Sequence, residues 1–383
     1  MRRALRTGLR MAVAAAALAG CGPEASGPEP EPYLWSLPPG FPTPDVPEDN
    51  PMSEAKVELG RWLFYDPRLS GNQTQSCASC HRQEFAFTDG LANAVGSTGE
   101  PHRRSSMSLT NVAYNATLTW ANPVLTRLED QALVPLFGES PVELGLTGME
   151  NVLFQRLRED PEYPERFRRA FPEDEEPVSL GSITRALASF QRTLISGSSA
   201  YDRYAYGGDP NALSESAMRG MELFYSETAE CFHCHGGFNF SDAVRHDTTA
   251  IEEITFHNNA LYNLDGDGAY PASDPGLYEI TGRPEDMGRF RAPTLRNIAV
   301  TAPYMHDGSV ATLEEAIAHY ARGGREITQG PNKGLGWMSP LKSEFVHGFS
   351  LTEQEKADLL AFLHSLTDAP FLTDPRLSDP WQR

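Results

Sequence analysis

Apolar residues recur at helical spacing along most of the chain, and the alternation that strands require is scarce. In "SEAKVELGRWLFYDPRLS", Val57, Leu59, Trp62 and Leu63 fall on a helix that Ser53 can cap. The segments "NVLFQRLREDPEYPERFRRAFP", "GSITRALASFQRTLI" and "SESAMRGMELFYSE" keep the same period. Near the end, Thr352 and Glu355 form a capping box ahead of Leu359, Phe362, Leu363 and Leu366. The pattern predicts an all-α protein.

One stretch of this pattern is repeated. Gly60-x-x-Leu63-Phe64-Tyr65 matches Gly220-x-x-Leu223-Phe224-Tyr225, and a CxxCH follows each: Cys77, Cys80 and His81 in "CASCH", then Cys231, Cys234 and His235 in "CFHCH". A helix followed by a cysteine cluster therefore occurs twice, which predicts two similar domains, 52–205 and 206–370. The boundary is expected near "YGGDPNALSES", and 371–383 read as a C-terminal tail. Ahead of the first domain, residues 21–51 carry ten prolines among acidic and small residues, the composition of an extended, semi-rigid tether with no core.

The first 20 residues have another purpose. Arg2, Arg3, Arg6 and Arg10 precede "MAVAAAALAG", a secretory signal too short to remain as a spanning helix. Leu18-Ala19-Gly20-Cys21 is similar to a bacterial lipobox, so Cys21 is read as a lipidated mature N-terminus, with simple cleavage as the alternative. Gly22, in place of an aspartate, points to the outer membrane and thus to a periplasmic-side lipoprotein. Loss of the four leader arginines takes the net charge from −20 to about −24. Such acidity argues against nucleic acid as a partner and otherwise reads as solubility.

Three chemistries compete for the cysteine clusters. Zinc could take four thiolates, but both histidines would then be idle and the two pairs would have to converge from distant parts of the chain. A redox dithiol needs no adjacent histidine, and its βαβ setting is missing. Haem c uses every residue: each pair of thiols attaches one porphyrin, and His81 or His235 binds its iron. Two functions then remain open, passing electrons or reacting with peroxide, and the sixth ligand of each iron decides between them.

The order CxxCH, "NVAYNATLTW", "LEDQALVPLF" with "PVELG", CxxCH and "RAPTLRNIAVTAPYMHDGSVATLEEAIAHYARGG" resembles the bacterial diheme cytochrome c peroxidases and their MauG branch, from about Met52 to Leu366. Within that family, "SLPPGFPTPDVPEDNPMS" and "STGEPHRRSSMSLTNVAYN" are most similar to the methanobactin-associated MbnH group. The resemblance implies two cytochrome c-like domains with two covalent haem c groups and hydrogen peroxide as oxidant. It further implies a bis-Fe(IV)-like store of two oxidising equivalents, and oxidation of tryptophan to kynurenine on an MbnP-like copper-binding partner. The alternatives are a conventional peroxidase fed by a small cytochrome or cupredoxin, and a non-catalytic diheme electron carrier.

Residue roles follow from the same resemblance. Tyr320 stands where the peroxidase branch has a methionine on the second iron, with Met305 and Met338 as rival ligands; a phenolate favours high iron oxidation states where a thioether favours Fe(II). His319, about 100° away around the same helix, cannot share that role. At the first iron, Ser97 replaces a distal histidine and implies an open face, with His102 the other residue able to reach it. Gln131, Pro135 and Glu143 are implied over that face, Glu143 as proton shuttle, and Trp120 between the two haems. The tryptophan that relatives place before the second CxxCH is replaced by Thr228, Ala229 and Glu230, so the exit route for charge is left open. A calcium ion is implied at Thr301 and Pro303, although its asparagine position holds Ser105. "LDGDGAYPASDPG" lacks the spacing of a calcium loop and reads as a surface turn.

Overall fold

The computed structural model describes residues 33–250 and 254–382. The leader, Cys21 and the beginning of the proline-rich segment lie outside the described residues. Seven helices of eight residues or more occur among the described residues: α1 (Glu54–Phe64), α2 (Glu150–Glu159), α3 (Tyr163–Ala170), α4 (Leu180–Arg192), α5 (Glu215–Phe224), α6 (Leu313–Arg322) and α7 (Glu353–Ser365). The named strands are two residues each, β1 (Glu326–Ile327) and β2 (Gly334–Leu335), paired antiparallel with Glu326 opposite Leu335. The protein is helical with little strand, in line with its hydrophobic period.

The helices start where their caps place them. Ser53 Oγ accepts from the Lys56 amide at 3.2 Å, and Ser214 Oγ from Ala217 at 3.1 Å. Thr312 accepts from Glu315, and Thr352 and Glu355 exchange bonds as a full capping box.

The repeated unit is a repeated helix crossing. Helix α1 packs on α4 and α5 on α7, and in each pair the repeated glycine sits at the closest approach. A Cβ at Gly60 would lie 2.0 Å from the Ala186 carbonyl oxygen, and one at Gly220 would lie 1.9 Å from that of Asp358. The aromatic that follows completes each crossing: Phe64 packs on Phe190 at 5.2 Å, and Phe224 on Phe362 at 5.1 Å. Leu59, Leu63 and Phe64 are fully buried, each such burial being worth about 1.5–3 kcal/mol.

Two large hydrophobic cores result, beside two smaller clusters around Leu261 and Val112. The first runs from Leu59 to Leu194 and the second from Tyr201 to Leu366, so the core changes hands a few residues before the glycine-rich stretch. Phe371 and Leu377 return to the first core. The last segment is a strap, with Trp381 against Trp62 at 4.3 Å and the Tyr65 hydroxyl donating to the Leu377 carbonyl at 2.7 Å.

The tether expectation for 21–51 needs correcting over its last part. Phe41 is buried, packs on Phe238 at 5.0 Å and lies under the Arg296 guanidinium. Asn50 is fully buried and donates to Glu129 Oε1 at 2.6 Å. A proline-rich chain without helix can still be an integral part of a core when its few apolar and amide side chains meet partners. Asn50 also has a bearing on the site: Glu129 pairs with buried Arg192 through two bonds of 2.9 and 3.0 Å, which fixes the short helix Leu128–Gln131 against α4. No helix among the described residues is long and apolar enough to cross a membrane.

Candidate functional site

Each CxxCH opens onto its own cavity. The first, about 240 Å³, is lined by Cys77, Cys80 and His81 on one side of the sequence and by Gln131, Pro135 and Glu143 on the other. The second, about 200 Å³, is lined by Cys231, Cys234, His235, Met305 and Tyr320 in mostly apolar surroundings. The four thiols are free and divided between two cavities, so a four-thiolate zinc site is not assembled.

The two histidines are held in the same way. His81 Nδ1 donates to the Phe87 carbonyl at 2.8 Å, and His235 Nδ1 to that of Phe240 at 3.2 Å. Both carbonyls belong to residues with positive φ, 61° at Phe87 and 50° at Phe240, a backbone form uncommon for bulky side chains. Donation from Nδ1 fixes the tautomer whose Nε2 lone pair is free for a metal. Burial lowers the pKa of both rings, keeping them neutral and able to ligate. Two thiols, an oriented neutral imidazole and apolar walls fit a covalent haem c in each cavity.

The first cavity holds an acid whose state is set by its surroundings. Burial pushes the Glu143 carboxyl up to about 7, although 36% of the side chain still opens onto the cavity. Ser97 is placed differently from its sequence reading: its amide donates to the Glu143 carbonyl at 2.7 Å, and its side chain is not part of the cavity wall. His102 is on that wall instead, with Nδ1 3.9 Å from Glu143 Oε1. Burial lowers the His102 pKa, so its ring is neutral near pH 7.

In the second cavity the rival oxygen and sulfur donors share a neighbour. Asn259 Nδ2 donates to Met305 Sδ at 3.2 Å, and the Asn259 side chain also acts electrostatically on Tyr320. Burial and the nearby Cys234 push the Tyr320 phenol up to about 12, and the neighbouring Asn259 amide opposes them. Met338 is 56% exposed and off the cavity wall, which removes it as a ligand candidate. His319 donates from Nε2 to the Asn259 carbonyl at 2.8 Å and likewise does not line the cavity. Asn259 carried no signal in the sequence; only its distant contacts reveal it.

Trp120 lines both cavities. Its indole N–H donates to the Ser105 carbonyl at 2.9 Å, which locks the ring in place. Beside it, Thr301, Pro303 and Ser105 do come together, around a small cavity of about 70 Å³. No carboxylate lines that space and Arg291 shares it, while Asn115, whose buried Oδ1 has no hydrogen-bond partner, also lines it. Asp265 in "LDGDGAYPASDPG" accepts from the amides of Asp267 and Ala269, a solvent-facing turn.

Comparison with known proteins agrees with this geometry. Residues 54–210 match the family model described as di-haem cytochrome c peroxidase. The chain is 36% identical to the cytochrome-c peroxidase IdrP1 of Pseudomonas sp. (strain SCT), over 100% of this chain and 97% of that protein. It is 33% identical to the methylamine utilization protein MauG of Methylorubrum extorquens, over 86% and 84% of the two chains. The crystal structure of a MauG-like protein associated with microbial copper homeostasis superposes with a TM-score of 0.89 at 52% identity, covering 91% of this chain and 100% of that one. With its paired CxxCH cavities, the chain belongs to the diheme cytochrome c peroxidase and MauG family of peroxidase-type oxidoreductases.

Proposed function

We propose that this enzyme uses hydrogen peroxide to oxidise a residue of a separate protein, tryptophan to kynurenine, on a small exported copper-binding partner. The observation that carries this reading is Tyr320 on the wall of the second cavity while Met305 is engaged by Asn259. The 52% identity to a MauG-like protein associated with copper homeostasis supports the choice of partner. When bound, the two haems supply peroxide activation and a store for two oxidising equivalents.

The chain's own residues organise that chemistry. With haem bound, His81 and His235 would each hold one iron, and Tyr320 would offer the second an anionic oxygen donor. Glu143, as carboxylate, takes a proton from the nearer peroxide oxygen and returns it to the departing one. Gln131 and Pro135 form the wall that confines peroxide beside it. Trp120, in both cavities, is the bridge between them. The basic leader and Cys21 support an exported lipoprotein anchored on the periplasmic side, at the outer membrane.

A second reading, peroxide removal with electrons from a small cytochrome, is favoured by one observation: His102 lines the first cavity and could cap its iron at rest. To separate them, the purified protein is given peroxide together with a small exported copper-binding protein of the MbnP kind, and that protein is digested and analysed by mass spectrometry. Kynurenine at a tryptophan supports the proposal. Peroxide consumption that requires a reduced cytochrome and leaves the partner unchanged overturns it.

A further inference from the structure

Arg291 is 3% exposed and has no carboxylate partner within ion-pair distance. The other deeply buried arginines of the described residues are fully paired, Arg192 with Glu129 and Arg296 with Asp202. Arg291 has only a 3.3 Å bond from Nε to the Thr119 carbonyl and a 3.7 Å contact from Nη2 to Met107 Sδ, and its Nη1 has no partner at all. Asp242, the carboxylate whose charge it feels, is engaged by Thr255 and His257. A guanidinium kept out of water without an anion is costly, and its planar fork matches a carboxylate.

Its location narrows the choice of anion. Arg291 lines the second cavity and also the small cavity beside Trp120, and its amide donates to the Trp120 carbonyl at 2.8 Å. The ligand that the second cavity fits carries two propionates, and no other lysine or arginine lines that cavity. We infer that Arg291 binds a propionate of the haem in the second cavity, setting a fixed positive charge between that haem and Trp120. The inference rests on the reading that this cavity holds a haem. Its consequence is electrostatic: a paired guanidinium at the porphyrin edge favours the reduced iron and holds the reduction potential up.

The test uses the matured holoprotein and its Arg291→Gln and Arg291→Lys variants. Haem is first counted by pyridine haemochrome and intact mass; a wild type with fewer than two haems refutes the two-haem reading, separately from the role of Arg291. With two haems present, the expected result for Arg291→Gln is a fall in the potential of the His235 haem alone, with a shifted propionate band in resonance Raman. Arg291→Lys should fall between the two. An unchanged potential and band in Arg291→Gln overturn the inference. Should that variant fail to mature, a crystal structure of the wild-type holoprotein decides: a propionate oxygen in hydrogen-bond contact with the guanidinium supports it, and water or chloride there overturns it.

Discussion

His102 Nδ1 faces Glu143 Oε1 at 3.9 Å across the wall of the first cavity. The pair joins the one acid and the one non-proximal imidazole of that wall, with Glu143 titrating near 7 because burial disfavours its charge. Proton transfer then falls to Glu143, and His102 stays off the iron.

For Glu143, the sign of the pH dependence follows from its role. The carboxylate form is the one that accepts a proton, and it populates as pH rises through about 7, well above the ordinary glutamate range. The rate of reaction with peroxide should therefore climb across that interval. Glu143→Gln should slow it by about 10²–10⁴-fold and flatten the profile. Stopped-flow mixing with peroxide between pH 5 and 9 checks both, and a flat wild-type profile would count against the assignment.

His102→Ala should leave the resting high-spin ferric signal in place, since the ring is not an iron ligand in this account. Conversion from low spin to high spin on removing His102, read by EPR, would show that it caps the first iron.

Tyr320→Phe removes the oxygen donor and keeps the helix packing. Both haems should remain attached, peroxide should still be consumed, and partner oxidation should be lost. Retained kynurenine formation in that variant would sink the role given to Tyr320.

The repeated glycines give a stability prediction with an internal control. Gly60→Ala and Gly220→Ala each drive a methyl into a carbonyl oxygen, at a cost of about 1–3 kcal/mol. Gly181, in α4, has nothing near its missing Cβ, so Gly181→Ala should be neutral or mildly stabilising. Thermal denaturation followed by circular dichroism separates the three, and equal melting temperatures would contradict the close-crossing account.

What the sequence made legible is local or repeated. Caps such as Ser53 and Thr352 act within three residues, and the CxxCH units carry their own ligand geometry. Gly60 and Gly220 were visible as a repeat, but their reason, a backbone in the path of a side chain, exists only across α1 and α4 or α5 and α7. Asn259 had no signal at all, and Arg291 stood only as the first residue of a motif, with no role, because Asn259 meets Met305 across 46 residues and Arg291 meets Met107 across 184. Loops account for the misplaced expectations. Ser97 and His102 are five residues apart on one irregular segment, where periodicity says nothing about which side chain enters the cavity. Phe41 shows the same limit, since composition described its segment as a tether and one aromatic ring made it part of the body.

The most direct test of the central claim is a visible, near-infrared and EPR record of the ferric holoprotein before and after one equivalent of peroxide, without reductant. The account predicts loss of a high-spin ferric signal and growth of a near-infrared charge-resonance band as the two centres share the oxidising equivalents. A ferric protein that ignores peroxide until one haem is reduced would contradict it, and would make the chain a conventional peroxidase whose first iron is capped at rest.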